Sequence, residues 1–302
     1  MDGYKKIFRS RKIRQFILNL LRFVPDKTMI KLQYRIKMGK RLNLKNPHTF
    51  SEKIQLYKLK YRDPLMHRCV DKYEVRKYVE EKGLKDILVP LYGRYDNVKQ
   101  IDLDNLPEQF VLKTTNGGGG FNIFICNDKS TVSKKVVAKK LKCKTVKSRT
   151  GGREWAYYGL KPGIVAEKLL VNSENPYAGI NDYKFFCYNG KPQYVLVDSD
   201  RYIRHKMNFY DLDWNTLNVS CGYPSNEKTI PKPVNFDKMV EIAKTLSSDF
   251  PFVRVDLYNI EGQIYFGELT FYPCSGYVQF EPDYFNELFG EKIDLERIMQ
   301  GK

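Results

Sequence analysis

The sequence predicts an α+β fold built on antiparallel hairpins, and three observations carry that prediction. Strand-like apolar runs recur at 163–170, 183–188, 193–197, 252–258 and 263–269, joined mostly by tight polar turns such as Glu261-Gly262. A helical stretch at 235–248 stands between groups of these runs, an α+β pattern. The 302 residues are enough for a sizeable core divided into subdomains.

In chain order, residues 1–60 read as a basic, mostly helical region. Ile13, Phe16, Ile17, Leu20, Leu21 and Val24 form a helical stripe, flanked by Lys12, Arg14 and Arg22. Asn46-Pro47 and Thr49-Phe-Ser-Glu52 are a loop leading into a helix start. Residues 61–108 form a second unit, with a helix over 68–83 ending at Gly83 and a strand and turn at Val89–Gly93. The third unit, 109–170, holds a hairpin over 110–125, a helix over 133–144, and a basic glycine-containing loop at 148–152. The fourth, 171–302, holds the remaining strands and a helix over 235–248 with Met239, Ile242, Ala243 and Leu246 on one face. Short helices at 282–289 and 292–302 follow, and no repeat is visible.

Composition narrows the function classes. No apolar stretch reaches the roughly 18 residues needed to span a bilayer, and the N-terminus lacks the apolar core of a secretion signal. Six scattered cysteines without a CxxC pair, several in apolar strands, fit reduced thiols in a cytoplasmic protein. The three histidines show no metal spacing. The net charge is +17, of which residues 1–41 hold +11, with 13 Lys/Arg against Asp2 and Asp26. Such a basic amphipathic arm suits an anionic membrane surface at the inner face of the plasma membrane. The alternative is a stripe packed on the main domain with its charges solvated, and that is the expectation for the apolar face. No helix-turn-helix, zinc-finger or RNA-binding signature supports nucleic acid.

The most informative stretch is FVLKTTNGGGGFNIFI, 110–125. A strand ends at Lys113; Thr114, Thr115 and Asn116 follow, then Gly117, Gly118, Gly119 and Gly120, and a second apolar run returns. Glycine lets backbone N–H groups approach an anion closely, and a lysine entering such a loop supplies a point charge for phosphate oxygens. The pattern fits a nucleotide-phosphate flap, or else a flexible turn beside a solvated lysine. No Gly-Lys-Ser/Thr closes it, and a strand, not a helix, follows it.

Three further features raise the weight of the first reading. Ile164–Leu170 runs into a linker with Asn172, Ser173 and Glu174, where backbone groups suit an adenine ring and an acidic residue suits ribose hydroxyls. Asp182 and Lys184 share a strand face by period two. Arg254 and Asp256 share a face of one strand, and Glu268 and Thr270 a face of the next. Carboxylates inside apolar runs are costly to desolvate without a partner. Mg²⁺ with its phosphates is one such partner; a buried Arg254–Asp256–Glu268 ion network is the other.

In this order the chain resembles the ATP-grasp superfamily, and more narrowly its TupA-like (teichuronopeptide-biosynthesis-like) family of polysaccharide loci. The matching stretches are Thr49–Lys53, Asp71–Arg76, Phe110–Lys113, Gly152–Trp155, Asp182–Phe186, Asn208–Trp214, Val253–Asp256 and Phe266–Phe271, so the likeness spans residues 30–290. The resemblance implies two lobes of antiparallel sheet clasping ATP. It also implies that Lys72, Lys113 and Lys184 contact phosphates, that Gly117 to Gly120 close over them with Asn116, and that Glu167, Lys168 and Leu170 line the adenine pocket, with Glu174 on the ribose. Asp256, Glu268 and Thr270 would hold Mg²⁺, with Arg254 and Lys184 catalytic. Two positions depart from the pattern. Thr270 stands where many ATP-grasp enzymes have Asn, and the glycine loop lacks a His or Ser.

By the same resemblance, the expected reaction is ATP-dependent carboxylate–amine ligation through an acyl phosphate, joining an amino acid and a uronic-acid sugar for a surface or capsular polysaccharide. Such chemistry relies on positioned cations and needs no protein nucleophile. Arg153, Asp200, Arg201, Arg204 and His205 are candidates for an anionic sugar, and Ser275 and Gly276, just after the second carboxylate strand, are better placed for substrate. A sugar kinase using the same site is an alternative. So is a nucleotide-sugar glycosyltransferase, for which the strings Asp198-Ser-Asp200 and Asp211-Leu-Asp213 can be cited. A non-enzymatic, membrane-binding module is a fourth reading.

Overall fold

A computed structural model describes residues 11–118, 122–141, 151–172, 177–227 and 229–301. Its helices are α1 (Arg11–Leu20), α2 (Asp26–Met38), α3 (Phe50–Lys60), α4 (Pro64–Val70), α5 (Glu74–Glu81), α6 (Lys134–Lys140), α7 (Phe236–Ser247), α8 (Tyr284–Glu291) and α9 (Leu295–Gln300). Strands β1 (Leu91–Tyr95), β2 (Phe110–Thr114), β3 (Ile123–Cys126) and β4 (Ile164–Lys168) form a sheet in the order β1-β4-β2-β3. Strands β5 (Asp182–Tyr188), β6 (Lys191–Ser199), β7 (Lys206–Tyr210), β8 (Thr216–Leu217), β9 (Phe252–Ile260) and β10 (Gln263–Thr270) form a second, in the order β10-β9-β5-β6-β7-β8. Every neighbouring pair is antiparallel.

The smaller sheet buries Phe110, Leu112, Ile164 and Ala166 against Val137 and Leu141 of the α6 segment. The larger sheet is covered on both faces, because side chains of β5 alternate between them. Phe185 stacks on Phe236 of α7, and the Cys187 thiol donates to the Ala243 carbonyl. On the opposite face Phe186 packs against Phe50 of α3 and Phe289 of α8. Lys184 and Asp182 lie on this second face by the same period. It is therefore aromatic and capped by helices at one end, and charged at the other.

Helix α3 begins where the sequence placed it. Thr49 and Glu52 form a reciprocal capping box, the Glu52 N–H donating to Thr49 Oγ1 at 3.2 Å. Met239, Ile242, Ala243 and Leu246 of α7 are buried, as their spacing predicts.

Four expectations are corrected. The continuous helix over 68–83 is broken: Asp71 ends α4, and its carboxylate accepts from the N–H groups of Tyr73 (2.9 Å) and Glu74 (3.1 Å) to start α5. Strand β7 forms from Lys-Met-Asn-Phe-Tyr, too short a run to stand out, because pairing with β6 supplies its order. The boundary drawn at 109 cuts the smaller sheet, since β1 pairs with β4. The apolar stripe is covered only in part: Ile17, Leu21 and Val24 are half-buried, but Phe16 is 69% and Leu20 65% exposed.

Candidate active site

The break at Asp71 delivers Lys72 to the glycine loop. The Lys72 N–H donates to the Thr115 carbonyl at 2.8 Å, and its ammonium donates to the Gly117 carbonyl at 2.6 Å. The same Nζ lies 3.5 Å from Glu268 Oε2 on β10, so one lysine touches the flap of the small sheet and a carboxylate of the large one. The loop is anchored behind its tip by Thr115, which donates its N–H to the Gly163 carbonyl (2.9 Å) and accepts from the Gly163 N–H (3.0 Å). A Cβ at Gly118 would meet nothing within 4 Å. Packing therefore does not demand glycine there. Gly119, Gly120 and Glu174 lie outside the described residues.

On the face of the small sheet opposite its core, Lys113 of β2 donates to Glu167 Oε2 at 2.9 Å, and Arg76 of α5 sits 3.5 Å from Glu167 Oε1. Glu167 is buried between these two cations. Lys168 at the end of β4 is exposed, Leu170 is half-buried, and Asn116 is half-buried in the loop.

The charged end of the large sheet brings Lys184, Asp256, Arg254, Glu268 and Thr270 together. Register sets this: Lys184 and Glu268 both lie opposite Asp256, and Thr270 lies opposite Arg254. A bulge at Gly267 makes the second pairing; a Cβ there would stand 2.9 Å from the Asp256 carbonyl oxygen. Lys184 Nζ donates to Asp256 Oδ2 at 2.8 Å and also to Asp182. Arg254 forks onto Asp256 with two 2.7 Å bonds and donates to Thr270 Oγ1 at 3.1 Å. Thr270 in turn donates to Glu268 Oε1 at 3.0 Å. Burial raises the Asp256 carboxyl against the opposing pull of Arg254 and Lys184. At Glu268 burial is outweighed by Lys72, Arg254 and Lys184, which hold the carboxyl down to about 2. Burial likewise fails to neutralise Lys184 or Arg254, because Asp182 and Asp256 hold the one charged and Asp256 with Glu268 the other.

Asp198 was visible in the sequence only as part of an Asp-x-Asp string. It lies opposite Asp182 in the β5–β6 register, 3.6 Å from Lys184. Arg201 reaches Asp182 (3.2 Å) and Asp198 (3.3 Å), and His205 Nε2 lies 3.4 Å from Asp198 Oδ1, its ring against Tyr223. One oxygen of Asp182, Oδ1, is buried with no hydrogen-bond partner among the described residues. Asp200 makes a turn at φ +52°, accepting from the N–H groups of Ile203 and Arg204. In the other Asp-x-Asp string, Asp211 caps its own turn through Asn215.

Arg153, a candidate for an anionic sugar, has its guanidinium engaged within the chain. It is 2% exposed and donates to the carbonyls of Leu21 (2.7 Å) and Arg22 (3.2 Å), so its guanidinium is held by the N-terminal region. Ser275 and Gly276 follow β10 with left-handed φ of +58° and +71°, in a turn tied down by Lys58 and Gln55, which donate to the Ser275 carbonyl at 3.0 and 3.2 Å. Neither anchor stood out in the sequence, since buried Lys58 reads there as an ordinary polar helix position.

The donor set fits Mg²⁺ carried in with phosphates: two carboxylates directly opposite each other, with a hydroxyl beside them. The surrounding charges balance, with Lys72, Lys184, Arg201 and Arg254 against Asp182, Asp198, Asp256 and Glu268. A polyanion entering such a site needs cations to accompany it.

Two antiparallel sheets joined across a glycine flap by a lysine, with opposed carboxylates on the larger, define an ATP-grasp protein. The family model for TupA-like ATP-grasp proteins matches residues 52–294, and the chain belongs to that family. No curated protein is significantly similar to it. Among solved structures it is similar to D-alanine–D-alanine ligase from Bacillus anthracis, at 16% identity over 77% of this chain and 69% of that one, with a TM-score of 0.46. The corresponding ligase from Helicobacter pylori gives 16% over 84% and 67%, at 0.45. L-amino acid ligase from Bacillus licheniformis gives 14% over 69% and 42%, at 0.40. These likenesses are distant, and the assignment rests on the family match.

Proposed function

We propose that the chain is an ATP-dependent carboxylate–amine ligase that joins an amino acid and a uronic-acid sugar in surface-polysaccharide assembly. The observation that carries the reading is that Lys72 spans from the Gly117 carbonyl of the flap to Glu268, where Lys184 and Arg254 hold the opposed Asp256. The flap backbone and Lys72 would hold the phosphates of ATP, Lys113 the charge nearest the flap, and Asp256, Glu268 and Thr270 the metal. Mg²⁺, when bound, supplies charge neutralisation along the phosphate oxygens. Arg254 would stabilise negative charge as the phosphoryl group moves to the substrate carboxylate. Asp182, Asp198 and His205 suit the amine partner better than an anionic sugar. Arg201 is already matched by two carboxylates, and the unpartnered Asp182 oxygen favours an ammonium group. Attack of the deprotonated amine on the acyl phosphate would form the amide and release phosphate.

Phosphorus NMR of the protein with Mg-ATP, glucuronate or galacturonate oligomers and pooled amino acids tests this. ADP and free phosphate that require both co-substrates support the ligase. A new phosphate-ester signal would make it a kinase instead. Neither ATP binding nor turnover would remove the reading altogether.

A further inference from the structure

The N-terminal segment is held on the body by the buried Met29, Ile30 and Tyr34 of α2 and by a set of polar contacts. Arg153 holds the carbonyls of Leu21 and Arg22, in the 3₁₀ turn that prolongs α1, and reaches Asp26 Oδ1 at 3.4 Å. Gln33 of α2 donates to the Gly151 carbonyl at 2.7 Å. These bonds, with the buried side chains of α2, hold one side of the segment and leave other apolar side chains in solvent. Phe16 and Leu20, one turn apart on α1, are exposed, and so are Leu32 and Ile36, one turn apart on α2. Lys27, Lys31 and Arg35 interleave with them, within a segment of net charge +11.

We propose that this segment docks on the surface of an anionic lipid bilayer, with Phe16 and Leu20 entering the boundary between headgroups and acyl chains and the basic residues facing lipid phosphates. The pairing of properties selects the partner. Nucleic acid would use the charge but leave the apolar side chains in water. A second copy would cover the apolar side chains but bring two strongly basic segments together. No helix among the described residues is long and apolar enough to cross a membrane, so the attachment is peripheral. The inference is independent of the reaction proposed above.

The test is flotation of the full chain with vesicles of phosphatidylcholine alone or with phosphatidylglycerol added, at low and high salt. Binding is expected only with the anionic lipid, weakened by salt, and about thirtyfold weaker in Lys31→Gln/Arg35→Gln through the loss of two basic residues. Phe16→Ser/Leu20→Ser should weaken it at least as much while leaving the melting temperature unchanged. Equal binding to neutral vesicles, no binding at all, or full binding by the Phe16→Ser/Leu20→Ser variant would overturn the proposal. So would a dimer by light scattering that the same variant abolishes, since the face would then belong to a second copy.

Discussion

Replacing Asp256 by Asn probes the fold and the proposed chemistry together. Asp256 is 1% exposed and accepts three charge-assisted bonds, two from Arg254 and one from Lys184. Asn keeps the volume but removes the charge and offers N–H groups toward two cations. Removing one partner of a buried ion pair costs about 3–5 kcal/mol. Arg254 retains Thr270, and Lys184 retains Asp182, so the lower end, ~3 kcal/mol, applies. At ~2.1 cal/mol/K per residue, the unfolding entropy of 302 residues is about 0.6 kcal/mol/K, so the melting temperature should fall by about 5 °C. The same change removes a carboxylate from the Mg²⁺ site and should lower ATP turnover by at least about a hundredfold. Scanning calorimetry and an ADP-release assay read the two effects separately. A melting temperature within about 1 °C of the parent would refute the buried-network argument. Turnover within about threefold of the parent would refute the metal role and, with it, the ligase.

Two more outcomes follow from the same geometry. Asp71→Ala should cost about 1 kcal/mol, the usual worth of such a cap, and weaken ATP binding by calorimetry because Lys72 loses its fixed approach to Gly117. Asp71→Ser, which still caps, should restore both, and unchanged affinity in the Ala variant would dismiss the link. Lys58, fully buried, is pushed down to about 7 by burial. Its folded value lies below the unfolded one of about 10.4, so its contribution to stability is full above that upper value and is lost as pH falls toward 7. Between pH 7 and 9 the melting temperature of Lys58→Met should therefore rise less steeply than that of the parent, by about 4 °C over the window. Parallel curves would show that Lys58 is not held neutral by its surroundings.

The sequence by itself determined the elements whose information is local. The period-two runs of β5, β9 and β10, the 3.6-residue stripe of α7 and the capping box of α3 depend on neighbours a few residues away, and each lies where the pattern placed it. The same locality put Arg254 beside Asp256 and Glu268 beside Thr270 on shared faces. What only the tertiary structure decided is register and approach across long separations. The Gly267 bulge sets Glu268 opposite Asp256. The β5–β6 pairing sets Asp198 opposite Asp182. The cap at Asp71 turns an apparently continuous helix into a corner that carries Lys72 to a loop 45 residues away. Arg153 shows the limit most clearly. A basic residue in a glycine-containing loop reads as a ligand contact, because the carbonyls it binds, 131 and 132 residues earlier, leave no trace near it in the chain. Charge identity is written in the sequence, but which partner satisfies a buried charge is settled only when distant segments pack and desolvation forces every such group to find one.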